Sequence, residues 1–241
     1  MFVLPTAGQV AVGDTVTLDG DEGHHASVVR RIEVGEELLL GDGAGAVARC
    51  RTTAVAKGSL EARVVAVDHH PAEPPRLVVV QAIPKGDRGE LAVEMLTEVG
   101  ADVIVPWAAS RSVARWKGDR AAKSLEKWRT TAREAAKQAR RAWFPTVAEQ
   151  ASTEDVVALL RKASVPVVLH EAASGPLSDV PVPGRGEIVI VVGPEGGISD
   201  DELAAFAQVG AEPLRLGSSV LRSSTAGVAA AAALLARTRW R

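Results

Sequence analysis

The run Val191-Val192-Gly193-Pro194-Glu195-Gly196-Gly197-Ile198-Ser199-Asp200-Asp201-Glu202 carries an apolar strand through a glycine-rich turn into a helix start. Ser199 and Glu202 mark that start as a capping box. Glycines in such a turn let the backbone approach a ligand closely and adopt positive φ. The turn is neither a Walker loop, which needs Gly-Lys-Ser/Thr, nor a Gly-x-Gly-x-x-Gly dinucleotide fingerprint. A second loop, Leu216-Gly217-Ser218-Ser219-Val220-Leu221-Arg222, again leads from a strand into a helix. Arg222 stands just before that helix, where a cation opposes the positive end of the dipole. That placement suits an arginine kept for a ligand, although a surface arginine reads the same way. The histidines fall at His24-His25, His69-His70 and His170, without metal-ligand spacing, so no metal is expected. No Gly-x-Ser-x-Gly elbow occurs, and the single cysteine, Cys50, lies in an expected strand, which disfavours hydrolase chemistry.

These loops need a scaffold, and 241 residues, 46% apolar and 24% charged, suffice for one large domain or two small ones. Residues 1–71 read as short alternating strands (14–18, 37–40, 46–55, 60–67) with a helix at 24–32, the pattern of a small barrel. The proline-rich stretch Pro71–Arg76 reads as a linker. Beyond it, from residue 76 to 241, strands and helices alternate: strands at 77–83, 102–105, 165–169, 187–192 and 213–216, helices at 90–99, 119–143, 200–209 and 224–237. This is the grammar of an α/β domain with a mainly parallel sheet, in which ligands bind at the carboxyl ends of strands. Neither a signal peptide nor a membrane-spanning run is legible, which leads us to expect a soluble, cytoplasmic protein.

The net charge of −2 conceals an asymmetry: residues 111–141 hold 11 basic and 3 acidic side chains, the rest of the chain being acidic on balance. On the helix expected at 119–143, Leu125, Trp128, Ala132, Ala135 and Ala139 form an apolar stripe. Lys123, Lys127, Arg133, Lys137, Arg140 and Arg141 project to the opposite face. One packed face and one basic face suit contact with a phosphate backbone, and a merely solvated face has the same signature.

Several segments, in order along nearly the whole chain, resemble the RsmE family of 16S rRNA uridine N3-methyltransferases, in the SPOUT superfamily. They are Gly23-His24-His25 with Val28-Val29-Arg30, Ala82-Ile83-Pro84-Lys85-Gly86-Asp87, Thr97-Glu98-Val99-Gly100-Ala101 and Ser110-Arg111-Ser112-Val113. Trp128-Arg129, Glu134 to Arg140 and the two glycine loops complete the set. The resemblance implies a PUA-like RNA-binding β-barrel ahead of a SPOUT-type α/β domain with a C-terminal trefoil knot. It further implies a homodimer, S-adenosylmethionine as methyl donor, and 16S rRNA or the small ribosomal subunit as partner. Cofactor contacts would fall on Leu169, His170, Gly193, Pro194, Glu195, Gly196, Gly197, Leu216, Gly217, Val220 and Leu221, with Arg222 catalytic. RNA contacts would fall on Arg30 and Arg111 and on the basic helix. The family commonly reads threonine-glutamate-threonine-alanine where this chain has Ser223-Ser224-Thr225-Ala226, so no role passes to that glutamate.

N3 methylation needs the methyl carbon in line with the nitrogen, loss of the imide proton, and support for the charge that develops. Arg222 suits the last need; His170, Glu195 and solvent are the candidate proton acceptors. Two other readings fit less well. One is a noncatalytic RNA-binding protein, which the intact glycines disfavour. The other is a nicotinamide oxidoreductase, which lacks its fingerprint.

Overall fold

The computed structural model describes residues 1–241, the Asp119 side chain apart. The chain divides into two units, residues 1–72 with 136–144 and residues 73–135 with 145–241. The division expected near Pro71–Arg76 does not include 136–144, which folds with the N-terminal residues. Backbone pairing explains this. Ala44 and Trp143 form a bridge, Gly45 N donates to Ala142 O at 3.0 Å, and Phe144 N donates to Gly43 O at 2.9 Å.

In the first unit, β1 (Phe2–Val3), β2 (Thr15–Leu18), α1 (Gly20–His24), β3 (Glu37–Gly41), β4 (Ala46–Ala56) and β5 (Ser59–His69) follow one another. The five strands form one sheet in the order β1-β3-β4-β5-β2, antiparallel except for β1 with β3. Alternate residues turn inward, so that Leu40, Cys50, Leu60 and Val64 build the core. The helix starts at Gly20, not His24, with Asp21 and Glu22 in its first turn, where acidic groups favour the dipole. It continues as a wider π turn over His25–Val29.

The second unit comprises β6 (Arg76–Ala82), α2 (Arg88–Val99), β7 (Val103–Trp107), α3 (Asp119–Gln138, whose last turn falls in the first unit), β8 (Thr146–Val147), α4 (Thr153–Lys162), β9 (Val165–Leu169), β10 (Gly175–Pro176), β11 (Glu187–Val192), α5 (Asp200–Ala207), β12 (Pro213–Arg215) and α6 (Ser223–Leu235). Its seven strands are all parallel, in the order β10-β12-β9-β11-β6-β7-β8. The central strands are buried on both faces, hence their unbroken apolar sequence. Leu77, Val79, Ile188 and Ile190 meet Leu96, Trp128, Leu234 and Leu235 on one side. Val78, Val80, Val189 and Val191 meet Leu160 and Phe206 on the other. As expected, α2 stops at Gly100, in the left-handed region at φ +110°. Strand β12 lies between β9 and β10, although it follows both in the chain.

The long helix ends earlier than its sequence suggests, at Gln138 instead of Trp143. Arg141 N donates to Ala136 O at 3.0 Å and Arg140 N to Lys137 O at 3.2 Å, with Arg140 at φ +55°. These are the paired bonds of a Schellman cap, built here on an arginine where glycine is usual. Arg140 and Arg141 therefore lie past the helix, and Ala139 is exposed.

Candidate active site

The carboxyl ends of β9, β11 and β12 and the start of α6 enclose a cleft of about 350 Å³, within the range of small-molecule sites. Leu169, His170, Gly193, Pro194, Glu195, Gly197, Leu216, Gly217, Val220, Leu221 and Arg222 all line it. The two glycine loops, distant in sequence, thus share one site. Its walls mix apolar side chains, loop backbone and the carboxylates Glu171 and Glu195. With the guanidinium groups of Arg88, Arg215 and Arg222 also at the cleft, this set suits an elongated ligand with an apolar body and charged groups of both signs. Gly193 leaves no room for a side chain, since a Cβ there would lie 2.8 Å from Ile198 Cγ1. Val220 is 78% exposed and Leu221 40%, so the second loop presents apolar surface at the mouth.

Gly196 is the exception among the cofactor candidates, for it does not line the cleft. What comes close to it is protein: a Cβ there would lie 2.9 Å from the Arg111 carbonyl oxygen. Glu202 fixes this approach. It is buried, and it accepts bonds from Ser110 N at 2.8 Å, Ser110 Oγ at 3.0 Å, Ser199 N at 3.0 Å, Ser199 Oγ at 2.9 Å and Thr153 Oγ1 at 3.2 Å. Burial pushes the Glu202 carboxyl up, but the bonds from Ser110 and Ser199 outweigh it and hold the group below the ordinary glutamate value. The capping box expected at Ser199 is therefore also a tie to the loop after β7.

His170 Nδ1 accepts a bond from Ala172 N at 3.2 Å. A neutral imidazole with that nitrogen occupied carries its proton on Nε2 and acts as a donor, so the arrangement argues against His170 as a base. Glu195 is exposed and accepts a bond from Lys85 N at 3.3 Å. Sequence reasoning passed over Arg88, Glu171 and Arg215, which line the cleft, and Gln81, which lies beneath it. Gln81 had a signal, being the one polar residue within the run Leu77–Ile83.

The basic candidates separate. Lys123, Arg133, Arg140, Arg111 and Arg30 are exposed, and Arg141 is half-buried. Lys127 Nζ pairs with Glu90 at 2.9 Å, while Arg111 Nη1 reaches the Ile198 carbonyl at 3.4 Å. Lys137 departs from the expected solvent face: it is 5% exposed and pairs with Glu22 at 2.7 Å. Burial also disposes of Cys50 as a nucleophile, pushing its thiol up to about 11. Among the described residues, no group of three His, Cys, Asp or Glu could hold a metal, and no helix is long and apolar enough to cross a membrane.

Comparison with known proteins places this geometry. Residues 71–235 match the model of the RNA methyltransferase domain, and residues 18–65 match that of the RNA methyltransferase PUA domain. Ribosomal RNA small subunit methyltransferase E of Mycobacterium bovis is 46% identical over 98% of this chain and 90% of its own length. Its Bacillus subtilis namesake is 29% identical over 98% of this chain and 96% of its own. The structure of ribosomal RNA small subunit methyltransferase E from Neisseria gonorrhoeae bound to S-adenosylmethionine superposes with a TM-score of 0.87, at 28% identity, covering 98% of this chain and 97% of that one. With one domain model matched over most of its length and a near full-length relative at 46% identity, the chain belongs to the RNA methyltransferase family, in its ribosomal RNA small subunit methyltransferase E branch.

Proposed function

We propose that this protein transfers the methyl group of S-adenosylmethionine to N3 of a specific uridine in the decoding region of 16S rRNA. The carrying observation is the meeting of both glycine loops in one cleft with Arg222 at its edge, in a chain of this family. S-adenosylmethionine, when bound, supplies an electrophilic methyl group on a sulfonium. Leu169, Gly193, Pro194, Gly197, Leu216, Gly217, Val220 and Leu221 would hold it by backbone and apolar contact. Glu171 and Glu195 suit its positive groups. Arg222 stabilises the negative charge that develops on the uracil when N3 gives up its proton. With His170 Nδ1 occupied by Ala172 N, the acceptors left for that proton are the exposed Glu195 carboxylate and solvent. Arg30, Arg111, Lys123, Lys127, Arg133, Arg140 and Arg141 grip RNA phosphates, and Lys137 is left out of this set. The PUA-like character of the N-terminal sheet and the homodimer rest on the family resemblance, its barrel reading also on its short alternating strands, and a cytoplasmic setting on the sequence reading above. The trefoil knot has structural support as well: β12 lies inside the excursion between β9 and β11.

N3 methylation blocks Watson–Crick pairing, which gives a direct test. Small subunits and naked 16S rRNA, each incubated with protein and labelled S-adenosylmethionine, are examined by mass mapping and primer extension. One labelled uridine that arrests reverse transcription is expected; label on a ribose oxygen, or no label, overturns the assignment.

A further inference from the structure

Gln81 lies in β6, whose residues 77–82 are all buried, and is itself 0% exposed. Its Nε2 donates to Ser223 Oγ at 3.0 Å and to the Ala82 carbonyl at 3.1 Å. Ser223 Oγ in turn donates to the Gly193 carbonyl at 2.9 Å. Gly193 belongs to the first cleft loop, and Ser223 directly follows Arg222 at the end of the second. One amide from β6 therefore ties both ligand loops through a single hydroxyl.

The other end of that amide is costly. Gln81 Oε1 is buried and has no hydrogen-bond partner among the described residues. An unsatisfied buried acceptor loses its hydration without compensation, and an apolar side chain of similar shape would not. Leu77, Val78, Val79, Val80 and Ala82 show what the rest of this strand prefers. A polar residue kept at such a place against stability is the mark of a functional demand.

We propose that Gln81 is a positioning residue for methyl transfer: through Ser223 it sets Arg222 and the Gly193 carbonyl in register across the cleft. This rests on the methyltransferase reading above. An ångström-scale shift of Arg222 away from the developing charge slows the chemical step without emptying the cofactor site.

The test compares Gln81→Leu, Ser223→Ala and the double variant with wild type. Thermal unfolding, calorimetry of S-adenosylmethionine binding and single-turnover methylation of small subunits are measured on each. Gln81→Leu should unfold at the wild-type temperature or above and bind S-adenosylmethionine within about 3-fold, yet react roughly 10- to 100-fold more slowly at saturation. Ser223→Ala should show the same split, and the double variant should be no slower than the slower single one, since both cut one chain of bonds. A wild-type rate in Gln81→Leu overturns the proposal. So does a slow rate fully matched by lost stability and lost cofactor affinity, which would make Gln81 structural only. The wild-type control tests the parent reading separately, because an inactive wild type removes both.

Discussion

Arg222 is exposed at the cleft, and its backbone carbonyl accepts bonds from Thr225 N and Ala226 N, both at 2.9 Å, which anchor the start of α6. The main chain of this residue is thus fixed while its guanidinium stays available to a substrate. Arg222→Ala should lower the single-turnover rate on the order of 100- to 1000-fold at saturating cofactor and RNA, the usual loss for one transition-state donor. Lysine should restore only part, as a point charge without the planar fork. A near-normal rate, or a defect confined to cofactor affinity, removes Arg222 from the chemistry. Its position was legible because a loop arginine set against a helix dipole stands out in a sequence. Gly196 shows the opposite case. Its type was legible as a demand for space, but only the folded chain reveals that Arg111, not a ligand, occupies that space.

Among the elements, α3 joins a helix face that composition describes well to a helix end that it does not. Leu125, Trp128, Ala132 and Ala135 are buried as their spacing requires. Lys137 escapes the same logic because its partner, Glu22, lies 115 positions away in sequence. Lys137→Ala should destabilise the protein by about 3 kcal/mol, the cost of breaking a buried pair, as read from urea unfolding. The double reversal Lys123→Glu with Arg140→Glu should leave stability nearly unchanged. It should flatten the salt dependence of RNA binding, the logarithmic slope falling by about one for each phosphate no longer gripped. An unaltered slope would make these two side chains merely solvated. A second tie between elements, the Glu202 carboxylate under Ser110, Ser199 and Thr153, should appear in acid. Folding lowers its pKa, so its contribution is present above the ordinary value near 4.5 and fades as pH falls through the lowered one. Glu202→Gln should therefore unfold at a lower temperature than wild type at neutral pH, and the gap should narrow in acid, below the ordinary glutamate value. A gap independent of pH would assign the loss to packing.

At the scale of the molecule, the succession of a strand-rich segment and an alternating α/β segment was legible from hydrophobic period alone. Strand order was not, since parallel pairing between β9 and β12 or β6 and β11 depends on residues far apart in the chain. Arg239 illustrates such a long-range tie. It bonds to Asp102 and to the carbonyls of Gly100 and Pro75, although it reads in sequence as one more basic residue. Its side chain is 7% exposed, so Arg239→Ala should cost about 3 kcal/mol in urea unfolding, with partial recovery in Arg239→Lys; an unchanged midpoint would mean that the clamp contributes nothing. The enclosure of β12 between β9 and β10 has a consequence in time. Synthesis runs from the N-terminus, and the first wall of the cleft, at Leu169, emerges long before Arg222 and α6. No partial chain can complete the site, because its last wall must be laid between two strands made earlier. The first unit can fold once residue 144 has emerged, whereas the cleft stays open until Arg222 and the start of α6 have followed.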